Sequence, residues 1–406
     1  MTDYQSNSNG RVIHAVQSAR GTKALSGAAS KVLRTAGGPG IKLTKASTAS
    51  GEVRNDGLST RGRHGTQKTA SSYNAELSLG SHDAIIEALM RGTWDATGLT
   101  LTASDFTSIT TTANTIVWAS GSPITGGLRV GDVIRLVDAD TAANNDRNLR
   151  VTALSSTTIT VAETLTVDNT ADTGASIVRP GKRIINPSTL VKRYFTLEEY
   201  EGDIDQSTVL TDFVWGTAKL SMGPNGIIML DPGGTGTGRI EALDPAQSPY
   251  FSAPTTTTGE PMAVVDATIR LGGEDLVELT SFDLTMDIQP VAPDVFGSGA
   301  IKYAPDVFTG VLQVSMNLTM LRKSLQVLQD FIAETPYSLH VLAVDNTAEP
   351  KDFLSITVPN FTLGGADPSA MSKQGGGRTQ TIAIPAALVG TDTGENTMIK
   401  FQTTAA

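Results

Sequence analysis

The chain is 406 residues long, enough for one large domain or two of ordinary size, and it is 39% hydrophobic, 18% charged and only 5% aromatic. With 40 glycines, abundant threonine and short apolar runs, it favours many short strands over helices. The absence of cysteine excludes a disulfide scaffold and thiolate-held zinc or iron–sulfur centres, and a net charge of −10 argues against ordinary nucleic-acid binding, which needs cations for phosphates.

Residues 1–10 (MTDYQSNSNG) are polar, without a signal-peptide layout, and no run approaches the roughly 18 to 20 apolar residues that span a bilayer. We therefore read a soluble protein made in a cytoplasm. Residues 1–31 look like an extended N-terminal arm without a usable period. Residues 1–80 hold 11 Lys and Arg against 4 Asp and Glu, a balance of +7 that leaves −17 on the remainder. Such a basic stretch is a solvated tail, or it docks on an acidic neighbour, another copy of the chain included.

Residues 73–79 (YNAELSL) alternate and read as a strand. Ser81 is a candidate N-cap for a helix over 82–90, with Ile85, Ile86 and Leu89 as its buried stripe. Residues 97–181 change in texture, being Thr/Ser/Ala-rich with short strands at 128–136, 148–154, 157–161 and 175–178. They read as a small inserted β-barrel or sandwich module, since the flanks 32–96 and 182–406 look like parts of one larger β-domain. Longer strands follow at 193–200, 217–221, 227–230, 262–271, 279–289 and 309–321. Residues 231–238 (DPGGTGTG), 255–259 and 373–378 read as loops. A second helix over 324–333 carries Leu325, Leu328 and Ile332 on one side, and strands at 337–344, 353–358 and 379–384 close the chain.

Motifs for chemistry are scarce. The histidines His14, His64, His82 and His340 lack helical ligand spacing, and HExxH and GxSxG are absent. The glycines of 233–238 lack the Gly-Lys-Ser/Thr of a phosphate loop, and Asp138, Asp140 and Asp146 do not fit a calcium loop. Glu198 and Glu199 are strand neighbours and point to opposite faces, so they form no dyad. No metal or cofactor is expected.

The polar faces of the long strands are less bland. They carry Asn74, Glu76, Ser78; Asp266, Thr268, Arg270; Ser281, Asp283, Thr285, Asp287, Gln289; and Gln313, Ser315, Asn317, Thr319. The opposite faces are apolar, as in Phe282, Leu284, Met286 and Ile288. Ordinary solvent faces mix Lys with Glu; these have four acids, one Arg and no Lys. A mildly acidic face of small polar groups lets a polyanion slide past without sticking. An ordinary exposed sheet face is the other reading.

With these elements in order, the chain resembles the phage tail tube protein family. The resemblance rests on 32–38 (VLRTAGG), 50–56 (SGEVRND, like the family's S-x-E-(I/V)-R-x-D), 75–94 (AELSLGSHDAIIEALMRGTW), 278–289 (ELTSFDLTMDIQ), 309–321 with its short helix, and 379–385. Gly57 stands where the family usually has a basic residue, and 97–181 looks like an extra module.

The resemblance implies a mainly β, tail-tube-type sandwich or barrel with one or two short helices. It implies a non-enzymatic virion subunit of a long non-contractile tail, assembled in the host cytoplasm as stacked homohexameric rings. Partners would be the tape measure protein in the lumen, terminator and tail-tip proteins at the ends, and transiting double-stranded DNA without specific binding. No membrane insertion is implied. The expected channel lining is Glu76, Asp266, Asp283, Asp287, Gln313 and Asn317, and the expected contacts between subunits or rings are Arg11, Arg20, Lys23, Arg54 and Asp56. Four strands from each of six copies, spaced about 4.8 Å, close a barrel with a backbone diameter near 37 Å, wide enough for a duplex about 20 Å across. The inserted module would then project outward.

Two other classes stay open. A tail-tip or fibre-like adhesive domain binding host carbohydrate wants an aromatic platform, for which Trp94, Trp118 and Trp215 are the tryptophans at hand. A β-fold hydrolase wants a constellation that the residues do not display.

Overall fold

The computed structural model describes residues 4–296, 302–345, 348–373, 375–390 and 395–405. It is mainly β, 47% strand and 6% helix, in several antiparallel sheets with no closed barrel.

The largest sheet runs Lys31–Leu33, Gly10–Val16, Phe195–Glu201, Gln206–Met222, Leu279–Asp287, Gln313–Leu321, Thr379–Ile384, Gly365–Pro368. Gln206–Met222 is long enough to hold Phe195–Glu201 and Leu279–Asp287 in succession on one edge and, along nearly all of its other edge, Met229–Leu243, which carries Arg63–Ala75 and then Thr35–Thr48. A second sheet runs Lys182–Ile185, Lys400–Thr403, Phe353–Phe361, Tyr337–Val344, Ala267–Leu271, Glu274–Asp275. The two share one core, in which Phe282, Leu284 and Met286 join Leu339, Val341, Ile356, Val358 and Phe401. Strict alternation accounts for this. In Leu279–Asp287 every second side chain is buried, so burying one face of each sheet forms the core and leaves the other face wet.

Leu99–Leu101 through Ser176–Arg179 form a separate eight-stranded sheet with its own core, which includes Phe106, Ile116, Trp118, Leu136, Val151 and Ile177. Its seam with the rest joins a small apolar cluster, Val133 against Leu342 and Phe353, to a set of ionic and polar contacts. Lys400 Nζ donates to Asp132 Oδ1 (2.8 Å) and to the Val130 carbonyl (2.7 Å). Arg183 Nη1 donates to Glu395 Oε1 (2.7 Å) and lies 3.6 Å from Asp132. Arg150 forks onto Asp275 at 3.0 and 2.8 Å. Gln402 exchanges bonds of 2.9 Å with the backbone of Val133.

Several local expectations are corrected. The stretch 1–31 contains the strand Gly10–Val16, paired with Phe195–Glu201 and burying Ile13 and Ala15; its apolar pair is too short to signal a period. The expected loop 231–238 lies inside the strand Met229–Leu243, because its glycines permit close approach of neighbouring strands. A β-carbon at Gly234 would collide with the Val214 carbonyl and the Phe213 ring, and one at Gly236 with Thr69 Oγ1. The first helix is Asp83–Met90 with Ile85, Ile86 and Leu89 buried, but its N-cap is His82. Ser81 instead turns its hydroxyl to the Ser78 carbonyl (2.8 Å) and His82 Nδ1 (2.6 Å). Of the expected loop 373–378, Gln374 lies outside the described residues.

Three histidines are buried. His14 packs against the rings of Phe195 and Trp215, His82 lies beside Ser81, and His340 Nε2 meets Ser355 Oγ at 2.7 Å. Burial is the main cause that holds them neutral, lowering His14 to about 4 and His82 and His340 to about 3. Each binds a proton near pH 6.5 once unfolded, so the unfolded chain takes up more protons between these limits. Stability is therefore present in full above about pH 6.5 and is lost as pH falls toward 4 and 3. We expect the unfolding free energy from denaturant titrations to drop by several kcal/mol over that window, and His14→Leu to flatten part of the drop. A profile unchanged between pH 7 and 4 would refute the buried neutral imidazoles.

Candidate functional site

The wet face of the large sheet is an organised polar surface that spans several strands. Cross-strand register assembles it in rows. One row reads Glu76, Met229, Ser221, Asp283, Asn317, Ala383, Gly365. The next on one side reads Asp231, Lys219, Thr285, Ser315; on the other, Ser281, Thr319, Thr381, Asp367; and Thr217, Asp287 and Gln313 form a fourth. Directly opposed residues share a face, so these side chains emerge together.

The charges in these rows are Glu76, Asp231, Asp283, Asp287 and Asp367 against one cation, Lys219. Lys219 Nζ lies 3.2 Å from Asp283 Oδ1. Burial pushes the Asp231 carboxyl up, against the opposing pull of the Ala75 N–H and Lys219. Asp287 accepts from the Gln289 amide at 2.6 Å. The remaining groups are neutral: hydroxyls and amides, with Met229, Ala383 and Gly365 among them. This surface offers little to hold phosphate.

The structure brings Glu76, Asp283, Asp287, Gln313 and Asn317 onto this one face. Asp266 is the exception. It sits exposed in the 3-10 turn Val264–Asp266, ahead of Ala267–Leu271, which belongs to the second sheet. The sequence alternation there was real but began later in the chain. Lys219, Asp231 and Asp367 were missed. Lys219 stands in an alternating segment and was legible, whereas Asp231 and Asp367 lie beside glycine and proline that read as turns.

The residues expected at contacts are exposed, apart from the half-buried Lys23, and each has a partner in its own chain. Arg11 covers the Tyr200 ring at 4.9 Å, and Arg20 lies 3.6 Å from Asp306. Lys23 Nζ donates to Glu241 at 2.6 Å and lies over Tyr250. Arg54 and Asp56 pair with each other in the exposed connection 49–62, between Thr35–Thr48 and Arg63–Ala75. That hairpin is long and mostly wet, with no residue of Thr35–Thr48 buried.

Other candidates are built differently. Glu198 and Glu199 do point apart: Glu198 accepts from the amides of Tyr250 (2.6 Å) and Phe251 (3.0 Å), Glu199 from Tyr73 Oη (2.8 Å) and the Ile41 amide (3.0 Å). Trp215 and Trp118 are buried, so they offer no aromatic platform; Trp94 is half-buried, its indole N–H donating to the Asp83 carbonyl at 3.0 Å. A cavity of about 190 Å³ at the seam is lined in part by the neutral His340 and by Arg270, Glu395 and Lys400, whose charges are engaged with Asp275, Arg183 and Asp132. Among the described residues, no group of three or more His, Asp or Glu is placed to hold a metal ion, and no helix is long and apolar enough to cross a membrane.

The chain is thus a mainly β-protein with a wide polar sheet face over a continuous core and long wet strands beside it. The family model for phage tail tube proteins matches residues 7–386, and the chain belongs to that family. Its role is that of a structural component of the phage tail, in the virion, self-assembling into a tube. No curated protein matches the chain.

Proposed function

We propose that this chain is the repeating subunit of a long non-contractile tail tube, assembled in the host cytoplasm as stacked hexameric rings whose lumen carries double-stranded DNA into the host. The observation that carries this is the wet face, with five carboxylates, one paired lysine and otherwise short neutral groups across successive hydrogen-bonded strands. Glu76, Asp283, Asp287, Gln313 and Asn317, with Lys219, Asp231 and Asp367, form the lining, and Asp266 does not. Such a lining repels phosphate weakly and lets a duplex slide.

Ring closure would cover the sheet edges, among them Gly365–Pro368. Arg11, Arg20, Lys23 and the hairpin tip with Arg54 and Asp56 meet neighbouring copies. The module over 97–181 projects outward, the tape measure protein fills the lumen during assembly, and terminator and tip proteins close the ends.

Negative-stain electron microscopy of the concentrated chain is expected to reveal rings or hollow tubes. Asp283→Lys combined with Asp287→Lys should leave tubes intact and reduce DNA ejection and infectivity by an order of magnitude or more, because cations would then hold phosphate. Unchanged ejection with normal tubes would remove this face from the lumen.

A further inference from the structure

The wet face changes character at both ends of its strands. Along Gln313–Leu321 the outward residues are Gln313, Ser315, Asn317 and Thr319, yet the next position of the same parity before it is Val311, 72% exposed, and the last is Leu321, 42% exposed. Each of these two lies within a larger apolar patch.

At the Leu321 end, the Leu321 amide bonds the Glu278 carbonyl at 3.0 Å, which brings Val277, 85% exposed, alongside. The helix Gln326–Ile332 follows. Val327 and Phe331 turn inward and pack on the core, while Leu325, Leu328 and Ile332, at helical spacing on another side, are exposed. At the other end, Val291 and Phe308 exchange backbone bonds of 2.7 and 2.8 Å and are both exposed beside Val311.

Single exposed apolar side chains are ordinary, but clusters of this kind mark contacts. The five side chains of the helix end are 37% to 85% exposed, the kind of apolar cluster that forms the core of an interface of about 800 Å² per partner. The two patches differ in composition and lie about 33 Å apart along the strand. A contact between unlike patches on opposite ends is heterologous, and one that does not close extends without limit.

We propose that the helix end of one copy, formed by Val277, Leu321, Leu325, Leu328 and Ile332, docks on the loop end of the next copy, formed by Val291, Phe308 and Val311. This contact propagates the tube along the strand direction. The inference rests on the tube reading and deepens it by naming the contact that joins successive copies. Apolar ends and a polar middle then have one cause: the ends are covered by neighbours while the middle faces water.

The test uses two double variants of the full chain, Leu328→Glu with Ile332→Glu and Phe308→Glu with Val311→Glu. All four positions are exposed, so thermal melting of the unassembled chains should be nearly unchanged. Each variant alone should lose tube elongation and stop at a ring or a smaller unit. Mixed one to one, they should form a species of twice that mass and no longer, because each retains the patch the other lacks. Elongation by either variant alone overturns the proposal, and so does self-pairing of one variant or a failure of the mixture to pair. A wild-type chain that stays monomeric when concentrated overturns the tube reading itself, and this contact with it.

Discussion

Trp215→Ala is expected to destabilise the unassembled chain by about 3–5 kcal/mol, among the largest effects of any single truncation here. Trp215 is fully buried in the strand Gln206–Met222, where that strand changes partners from Phe195–Glu201 to Leu279–Asp287. The ring of Phe213 lies 4.9 Å away, and those of His14, Tyr73 and Phe195 lie at 5.8, 6.3 and 6.4 Å. Removing the indole leaves a cavity walled by aromatic rings on different strands, which cannot all collapse into it. Trp215→Phe should cost well under half as much. It keeps most of the contacts and removes an indole N–H that is buried without a partner. Denaturant unfolding of the three chains measures this, and a cost below about 1 kcal/mol for alanine would mean the site repacks.

Lys400→Met should cost about 3 kcal/mol, by a different mechanism. Asp132 is fully buried, and its closest cation is Lys400 at 2.8 Å; Arg183 and Arg179 stand off at 3.6 and 3.9 Å. Methionine fills a similar volume but leaves the carboxylate with the Arg129 amide (2.9 Å) and, for cations, only the distant arginines. The double variant Lys400→Met, Asp132→Asn should recover more than half of the loss, since it removes the uncompensated charge and keeps the shape. The same loss in single and double variants would assign the effect to packing instead. The seam also ties the 99–179 sheet to the body, so Lys400→Met is expected to increase protease cleavage between the two.

Much was legible without the fold because it depends on period. Alternation in 279–287 and 313–321 put Asp283, Asp287, Gln313 and Asn317 on one side of their strands, and register then joined them into one face. The same local logic found the stripe of Ile85, Ile86 and Leu89 and the separate texture of residues 97–181. What misled were residues whose roles depend on a neighbour far along the chain. The glycines of 231–238 read as a turn, because nothing nearby reveals that Phe213, Thr69 and Thr217 press against them. Asp266 lies one residue ahead of an alternating strand, and only the sheet order shows that this strand pairs elsewhere. Leu325, Leu328 and Ile332 make a regular helical stripe whose burial or exposure the spacing leaves open.

The sequence by itself determined the class of element adopted by the strongly periodic segments and which side of each is apolar, since periods of 2 and 3.6 are local properties of the chain. It also determined the low positive charge of the wet strands. Only the tertiary structure decided which strands share a sheet, that Lys219 pairs with Asp283, and that Asp132 is enclosed by cations from three segments. Those relations join residues dozens to hundreds of positions apart. Their energies come from register and burial, which exist only after the sheets have packed.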